Sequence, residues 1–239
     1  PAEIRAQTIG PRLTAALAFF MGCGHLSKRT LQEVVTTLFE VPISLGSIIN
    51  HQQEVSRALG PAYAEVVKAI QSAPAKNVDE TGWNKGGKLC WLWWSAPSVF
   101  ALFQIHAKRG VAGLQALLGD TVQGLVGSDR WSAYGKLLLG MRQICWAHLK
   151  RDFQKLFERG GVAQEVGQGG LAVVAEVFTI WQRFKDGLIS RGLLQALLKP
   201  VKERLWQLLE GARDGPDKKT AGFGQRILKV YPALWNFAM

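Results

Sequence analysis

Hydrophobic residues recur at helical spacing from the beginning of the chain to about residue 72. PRLTAALAFFMG has this pattern, and SKRTLQEVVTTLFE follows with Ser27 as its predicted N-cap. Ser44 is placed to cap a third helix that begins SLGSIINHQQEV. The second helix is predicted to bury one apolar face, made of Leu31, Val34, Val35 and Leu38. The N-terminal part of the chain is therefore predicted to be helical.

Two helices joined by a short turn are typical of a helix-turn-helix, in which the second helix reads DNA. On that hypothesis Ser47, Asn50 and Gln53 would contact the DNA. Helix pairs with short turns are also common as ordinary packing units. Both interpretations stay open at the level of the sequence.

The pattern changes after Pro74 to short apolar and aromatic runs. LCWLWWSA and SVFALFQIHA are predicted to be successive strands separated by a turn at Pro97. GVAGLQALLGD predicts a helix that ends at Gly119, QGLVGSDR a strand that ends in an acid, WSAYGKLLLG a helical turn, and RQICWAHL a strand or strand end. This order predicts an α/β fold with a mixed sheet and helices on its faces, and it is also the order of a ribonuclease H-like core.

Acidic residues stand where local propensity does not explain them. NVDETGW places Asp79 and Glu80 in a predicted strand, although acids are poor strand residues, and Asp129 ends the fourth strand. In a ribonuclease H-like sheet Asp79 and Asp129 would lie side by side. Two carboxylates suit Mg²⁺, which assists phosphodiester chemistry. The structural alternatives are that Asp129 caps the next helical turn and that Asp79 pairs with a basic residue.

The composition favours a polyanionic partner. The chain of 239 residues carries a formal charge of +11 with a pI of about 9.8, and basic side chains release counterions when they bind phosphates. No run approaches the roughly 18 apolar residues of a membrane span, and no signal peptide is evident. Three scattered cysteines argue against a disulfide framework, and Cys23 and His25 alone are too few for zinc. We therefore expect a soluble cytoplasmic protein.

Several ordered segments resemble one family of mobile-element proteins. NVDETGW, LCWLWW, GLVGSDRWSAYGK and QICWAHLKRDF closely resemble the insertion-sequence DDE transposases of family sixty-six, the TnpC type. The similarity extends through GPRLTAAL, HLSKRTLQEV and ISLGSI in the helical part. The resemblance implies a ribonuclease H-like domain that cuts DNA at transposon ends and joins the freed 3′-hydroxyl to target DNA. It also implies a homo-oligomer on DNA in the bacterial cytoplasm, with accessory proteins of the same element as further partners.

The resemblance makes Asp79 and Asp129 the first two of three catalytic acids, with Mg²⁺ or Mn²⁺ as cofactor. Glu80 is a neighbour on the opposite strand face and has no assigned role. CWAHLKRDF looks like a family hallmark, which places Cys145, His148 and Arg151 near the site together with Arg130. Cys145 and His148 are too few for zinc, so a structural place for Cys145 on a buried strand is predicted. Basic residues between Arg130 and Arg159 are expected to hold DNA, among them Lys150, Arg151 and Lys155.

The third acid is harder to place. If 35 residues separate the second and third acids, the third acid is Glu165. The surrounding segment RGGVAQEVGQGG is rich in glycine, so we predict a loop there and reject Glu165 as the third acid. The resemblance puts the acid after a helical insertion, beyond Met239, so we expect the 239-residue chain alone not to cleave DNA. The predicted organisation is a helical region at 1–72, the first part of the core at 76–158, a helical insertion at 159–222 and a return toward the core at 223–239.

Other functions remain open on the sequence. A non-catalytic DNA-binding remnant would keep the basic surface with vestigial acids, and a ribonuclease H-like nuclease would hydrolyse DNA without joining strands. A basic α/β protein with no nucleic-acid role is the plainest alternative. DNA binding at low salt and analysis of joined products would separate these functions.

Overall fold

The structure is a computed structural model that describes residues 9–239, so the first eight residues of the predicted helical region lie outside it. The chain divides into two compact units, one ending at Lys68 and the other beginning at Ala69. No helix in the described part of the chain is both long enough and apolar enough to cross a membrane.

The first unit is helical, as its periodicity predicts. Its helices are α1 (Pro11–Gly22), α2 (Lys28–Leu38), α3 (Leu45–Ala58) and the beginning of α4 (Gly60–Ser72). Ser27 Oγ accepts the Thr30 backbone N–H at 3.1 Å, and Ser44 Oγ accepts the Ser47 N–H at 3.0 Å. Both predicted N-caps are confirmed, because each serine satisfies an N–H that has no partner within its helix.

The core of the first unit is narrower than its sequence pattern predicts. Leu31 and Val35 of α2 are fully buried against Leu17 and Ile48. Leu38 was predicted on the same face but is 70% exposed. Leu38 is the last residue of the helix, and Thr37 and Phe39 on either side of it are exposed as well, so burial on this face stops at Val35.

The second unit contains a five-stranded mixed sheet. Its strands are β1 (Ala75–Lys85), β2 (Lys88–Ala96), β3 (Leu102–His106), β4 (Leu125–Ser128) and β5 (Arg142–Ile144), in the order β3-β2-β1-β4-β5. The three strands from β1 to β3 are antiparallel, whereas β1, β4 and β5 are parallel. The predicted α/β class is confirmed.

Two strand predictions need correction. Residues 98–101 were predicted within the third strand, but β3 begins only at Leu102, and Ser98, Val99 and Phe100 are exposed beyond the end of the β2 ladder. Cys145 was predicted on a buried strand, but it is the half-buried residue between β5 and the next helix. Its N–H donates to Ser128 O at 2.8 Å, after which the chain turns into the helix.

Helix α5 (Val111–Leu118) covers one face of the sheet and ends at Gly119, as predicted. Gly113 allows the close approach, because a Cβ at this position would lie 2.5 Å from the Trp93 indole. Trp93 itself is fully buried on β2. Between β4 and β5 the predicted helical turn is present as two short 3₁₀ segments, Ser132–Lys136 and Leu139–Met141.

The rest of the second unit is helical, with α6 (Trp146–Arg159), α7 (Val162–Lys185), α8 (Arg191–Arg213) and α9 (Lys218–Lys229). One continuous hydrophobic core runs from Ile144 through these helices to Ala238. The final 3₁₀ segments, Tyr231–Leu234 and Asn236–Ala238, return to the edge of the sheet. There the Asn236 amide donates to Leu139 O and Arg142 O, at 2.7 Å each.

The loop predicted around Glu165 is wrong, because this residue lies in the first turn of α7. The glycines serve close packing between α6 and α7 instead of ending the helix. A Cβ at Gly167 would lie 2.3 Å from the Phe157 backbone nitrogen, and one at Gly170 would lie 2.1 Å from the Phe153 ring. These pairs run in opposite directions along the two helices, so α6 and α7 are antiparallel.

Candidate active site

Asp79 lies on β1, and Asp129 directly follows β4, the parallel strand beside β1. Asn77 of β1 is in register with Gly127 of β4. Asp79 and Asp129 each stand two residues further along, and side chains two residues apart share a sheet face. Neighbouring strands lie about 4.8 Å apart, so the two carboxylates emerge side by side from the face that carries Asn77.

Each carboxylate has one oxygen engaged by the backbone. Asp79 Oδ1 accepts the Glu80 N–H at 3.0 Å, and Asp129 Oδ1 accepts the Trp131 N–H at 2.8 Å. Across residues 9–239, the second oxygen of each makes no hydrogen bond or ion pair. Both residues are half-buried, and neither carboxylate is neutralised by a lysine or arginine of the described chain.

Glycines shape the strand that leads to Asp129. Gly124 has a φ of +70°, and a Cβ there would lie 2.5 Å from the carbonyl oxygens of Ala73 and Pro74. A Cβ on Gly127 would lie 2.3 Å from Asn77 Oδ1. Only glycine therefore lets β4 approach β1 closely enough to keep the register that aligns the two acids.

Arg142 fixes the backbone around Asp129 from the other side. This buried residue of β5 donates through Nε to Ser128 Oγ at 3.2 Å and through Nη2 to Asp129 O at 2.8 Å. Burial lowers the pKa of Arg142, and the nearby Asp129 charge opposes that change. The guanidinium therefore holds the end of β4 without occupying the Asp129 carboxylate.

Glu80 points away from Asp79 into the face covered by α5. Its side chain is 1% exposed and accepts hydrogen bonds from Arg109 Nε, at 3.0 Å, and from the Tyr134 hydroxyl. Burial raises the pKa of Glu80, the two hydrogen bonds lower it, and the charge of Asp129 adds to the rise. The pKa of Tyr134 is raised by burial, by its bond to Glu80 and by the charges of Asp129 and Asp79. All three acids thus lie within electrostatic reach of Tyr134.

A comparison of the chain with known protein families adds a decisive observation. The family model described as "Transposase IS66 family" matches residues 7–238, which is nearly the whole chain. The chain belongs to this family. The resemblance found in the sequence motifs is thereby confirmed, and no curated protein sequence matches the chain.

The basic residues that were predicted near the site lie on and beside α6 of the transposase. Lys150, Arg151 and Lys155 are exposed on this helix, which begins next to the end of β4. Arg130, which was also predicted near the site, forms an ion pair with Asp152. Its charge is therefore partly used inside the protein, unlike those of Lys150 and Arg151.

His148 lies in the first turn of α6, one turn before Asp152. Its Nδ1 is buried and has no hydrogen-bond partner in the described structure. Cys145, Cys23 and Cys90 are all free thiols. Within residues 9–239, no three or more His, Cys, Asp or Glu side chains are grouped to hold a metal.

Two carboxylates still fit a hard cation. Mg²⁺ prefers oxygen ligands and commonly takes only one or two protein carboxylates, with water and phosphate oxygens completing its shell. Asp79 and Asp129 offer oxygens of this kind on one face. Zinc sites usually take about four ligands that include cysteine or histidine, whereas these two carboxylates offer oxygen alone, so the donor set suits Mg²⁺ or Mn²⁺ better than zinc.

Glu165 lies far from this pair. Helix α6 starts beside Asp129 and has 14 residues, which makes it about 21 Å long at 1.5 Å per residue. Because α7 begins at the opposite end of α6, Glu165 is about that far from the acids along the helix. Glu165 is also exposed. Its distance from Asp79 and Asp129, and not a loop conformation, is therefore the reason to reject it as the third acid.

The remaining predicted DNA-contacting residues belong to the first unit of the transposase. Ser47, Asn50 and Gln53 lie on α3, where Asn50 and Gln53 are exposed and Ser47 is half-buried. The connection between α2 and α3 covers residues 39–44, longer than the three or four residues usual in a helix-turn-helix. A DNA-reading role for α3 remains a prediction.

Sequence reasoning missed Arg109, Tyr134 and Arg142. Arg109 follows β3, and its partner Glu80 is 29 positions away. Tyr134 belongs to the DRWSAY motif, where its spacing from Asp129 was visible but its contact with Glu80 was not. The available signal for Arg142 was a basic residue at the start of the short strand RQI.

Proposed function

We propose that Asp79 and Asp129 are two of the three metal-binding carboxylates of a ribonuclease H-like site that cleaves DNA at transposon ends and transfers the 3′-hydroxyl to target DNA. The observation that carries this proposal is the alignment of the two acids. Neighbouring parallel strands bring them to one level and one face, and each keeps an unengaged oxygen. The strand order β3-β2-β1-β4-β5 supports the ribonuclease H-like assignment.

The chemistry divides between the chain and its cation. Divalent ions held by such carboxylates promote attack by water or a 3′-hydroxyl and stabilise the leaving oxygen. Asp79 and Asp129 hold and orient them. Arg142 and the Trp131 N–H keep Asp129 in place from two directions. Because Glu80 has both oxygens engaged on the other face, it takes no part as a ligand.

The DNA is proposed to pass along α6. Lys150, Arg151 and Lys155 present charge to solvent on the helix that starts beside Asp129, so phosphates bound there would lie close to the carboxylates. His148 is proposed to approach the same phosphates through the ring nitrogen that is not buried. The hypothesis has three further parts. Ser47, Asn50 and Gln53 recognise the transposon ends, the chain assembles as a homo-oligomer, and its activity depends on accessory proteins.

Manganese binding tests the carboxylate pair directly. The chain is titrated with Mn²⁺ and free ion is followed by electron paramagnetic resonance, for wild type, Asp79→Asn, Asp129→Asn and the control Asp120→Asn. Asp120 is an exposed acid after α5. We expect each site variant to lose most of the binding and the control to retain it. Equal binding by all four proteins would overturn the proposal.

Localised oxidation identifies where the ion sits. Fe²⁺ in the same site, with ascorbate and peroxide, cuts the backbone within a few ångströms of the ion. Two groups of fragments are expected, with ends near residue 79 and near residue 129. Mg²⁺ should suppress both groups together. Fragments ending at unrelated positions would contradict the assignment.

Mn²⁺ binding, compared with DNA binding in the same variants, separates the transposase site from a non-catalytic remnant. Asp79→Asn and Asp129→Asn are expected to bind DNA at least as well as wild type without metal, because removing negative charge reduces repulsion of phosphate. A remnant would show the same DNA binding but no Mn²⁺ site that depends on these acids.

A further inference from the structure

Glu80 stands directly after Asp79 but contacts a different set of residues. Its carboxylate is buried between Arg109 and Tyr134, which come from separate parts of the chain. Burying an acid is costly unless its oxygens are paired, and here both are. The arrangement therefore ties three distant segments together on the face opposite the Asp79 carboxylate.

Arg109 extends this arrangement toward Asp129. Its guanidinium carbon lies 4.1 Å from the centre of the Trp131 ring and 4.8 Å from that of Trp91, so the cation is sandwiched by two indoles. The Trp131 indole N–H also donates to Arg109 O at 3.4 Å. Arg109 can keep this position because Glu80 fixes its Nε.

Trp131 connects Arg109 to Asp129, because the Trp131 backbone N–H donates to Asp129 Oδ1. Tyr134 holds the same segment from its other end. The Tyr134 N–H donates to Trp131 O at 3.1 Å, and its hydroxyl reaches Glu80. Glu80 is thus connected to the 129–134 turn in two ways. One connection runs through Arg109 to Trp131, and the other is the direct hydrogen bond from Tyr134.

We propose that Glu80 is a positioning residue that orients the Asp129 carboxylate by anchoring the 129–134 turn at Trp131 and at Tyr134. The inference rests on the proposed function, because it assigns to Asp129 the metal-binding role described above. Glu80 itself does not contact the ion. Partners that orient a ligand in this way commonly change metal affinity by about 10- to 100-fold when removed.

The first test needs no metal. Hydrogen exchange of the Trp131 amide reports the bond to Asp129, and it is measured for wild type, Glu80→Gln, Arg109→Lys and the control Glu165→Gln. The glutamine variant keeps the side-chain shape but loses the charge, and the lysine variant keeps the charge but loses the planar stacking group. We expect exchange at Trp131 to quicken by about tenfold in both variants, the factor that corresponds to losing one charge-assisted hydrogen bond. The control should match wild type.

The second test uses the same proteins with Mn²⁺ and with Fe²⁺-directed cleavage. Glu80→Gln should weaken Mn²⁺ binding by about tenfold, and Glu80→Ala by more. Cleavage near residue 129 should fall relative to cleavage near residue 79, because Asp79 keeps its own strand position. A purely structural role would lower both cleavage groups equally.

The outcomes separate the two proposals. If wild type shows no Mn²⁺ site at Asp79 and Asp129, the proposed function fails, and the positioning role fails with it. If wild type binds Mn²⁺ but the folded Glu80→Gln protein has unchanged Trp131 exchange and unchanged affinity, the proposed function stands and the positioning role is overturned. Far-UV circular dichroism establishes folding, and Glu80→Gln carries the test if Glu80→Ala does not fold.

Discussion

The contact between α6 and α7 gives a sharp prediction for Gly167. In an ordinary helix, replacing glycine by alanine stabilises the protein by about 1 kcal/mol, because glycine loses more backbone entropy. At Gly167 the new methyl would lie 2.3 Å from Phe157 N and 2.7 Å from Phe153 O. Both atoms belong to the backbone, so the clash with the new methyl group cannot be relieved by rotating a side chain. The two helices would have to move apart.

We expect the overpacking to outweigh the gain in propensity. Forcing an extra methyl into a tight contact costs about 1–3 kcal/mol or more, and a contact this short lies at the upper end. Gly167→Ala should therefore destabilise the chain by about 2 kcal/mol. With a urea m-value of about 2 kcal/mol/M, the unfolding midpoint would fall by about 1 M.

Gly211 provides the matched control, because it lies in α8 and a Cβ there meets nothing within 4 Å. Gly211→Ala should leave the midpoint unchanged or raise it by up to about 0.5 M. Urea unfolding is followed by tryptophan fluorescence and by far-UV circular dichroism. If Gly167→Ala were as stable as wild type, the close α6–α7 packing would be refuted.

Two further predictions concern charge. Removing one phosphate contact lowers the slope of log affinity against log salt by about 0.9. Lys150→Ala and Arg151→Ala should therefore each reduce the slope for DNA binding by about 1. The control Lys88→Ala, which changes an exposed residue of β2, should leave the slope unchanged. Equal slopes in all variants would exclude α6 from the DNA path. Because burial raises the pKa of Glu80 above its ordinary 4.5, its contribution to stability is fully present below about pH 4.5 and is lost as pH rises through the higher folded value. Urea midpoints measured across that range should show this loss in wild type but not in Glu80→Gln, and parallel pH profiles would disprove it.

Local features of this fold could be predicted from the sequence. Ser27 and Ser44 cap their helices because a hydroxyl three residues before a free N–H needs only local geometry. The alignment of Asp79 with Asp129 followed from strand order, because a ribonuclease H-like sheet places its first and fourth strands side by side, as β1 and β4 are here.

Contacts between distant segments could not be predicted in the same way. Glu80 finds Tyr134 across 54 positions, and nothing in either segment alone indicates the pairing. Gly167 and Gly170 led to the wrong prediction of a loop, because glycine is found both where helices end and where two helices pack closely. Only the position of the Phe153 and Phe157 backbone decides between them.

The two edges of the sheet differ in how they can meet other chains. Residues 231–238 lie along the outer side of β5, where Gln143 donates to Leu234 O at 3.0 Å and accepts the Phe237 N–H at 2.8 Å. Asn236 also donates to Arg142 O at 2.7 Å, so part of the β5 backbone on this side is already bonded and the segment covers the edge. Within the described chain, the five-residue β3 pairs only with β2, so its outer backbone is the side that strand addition would use. Growth of the sheet, whether in assembly or in misfolding, is thereby directed to the end farthest from β5.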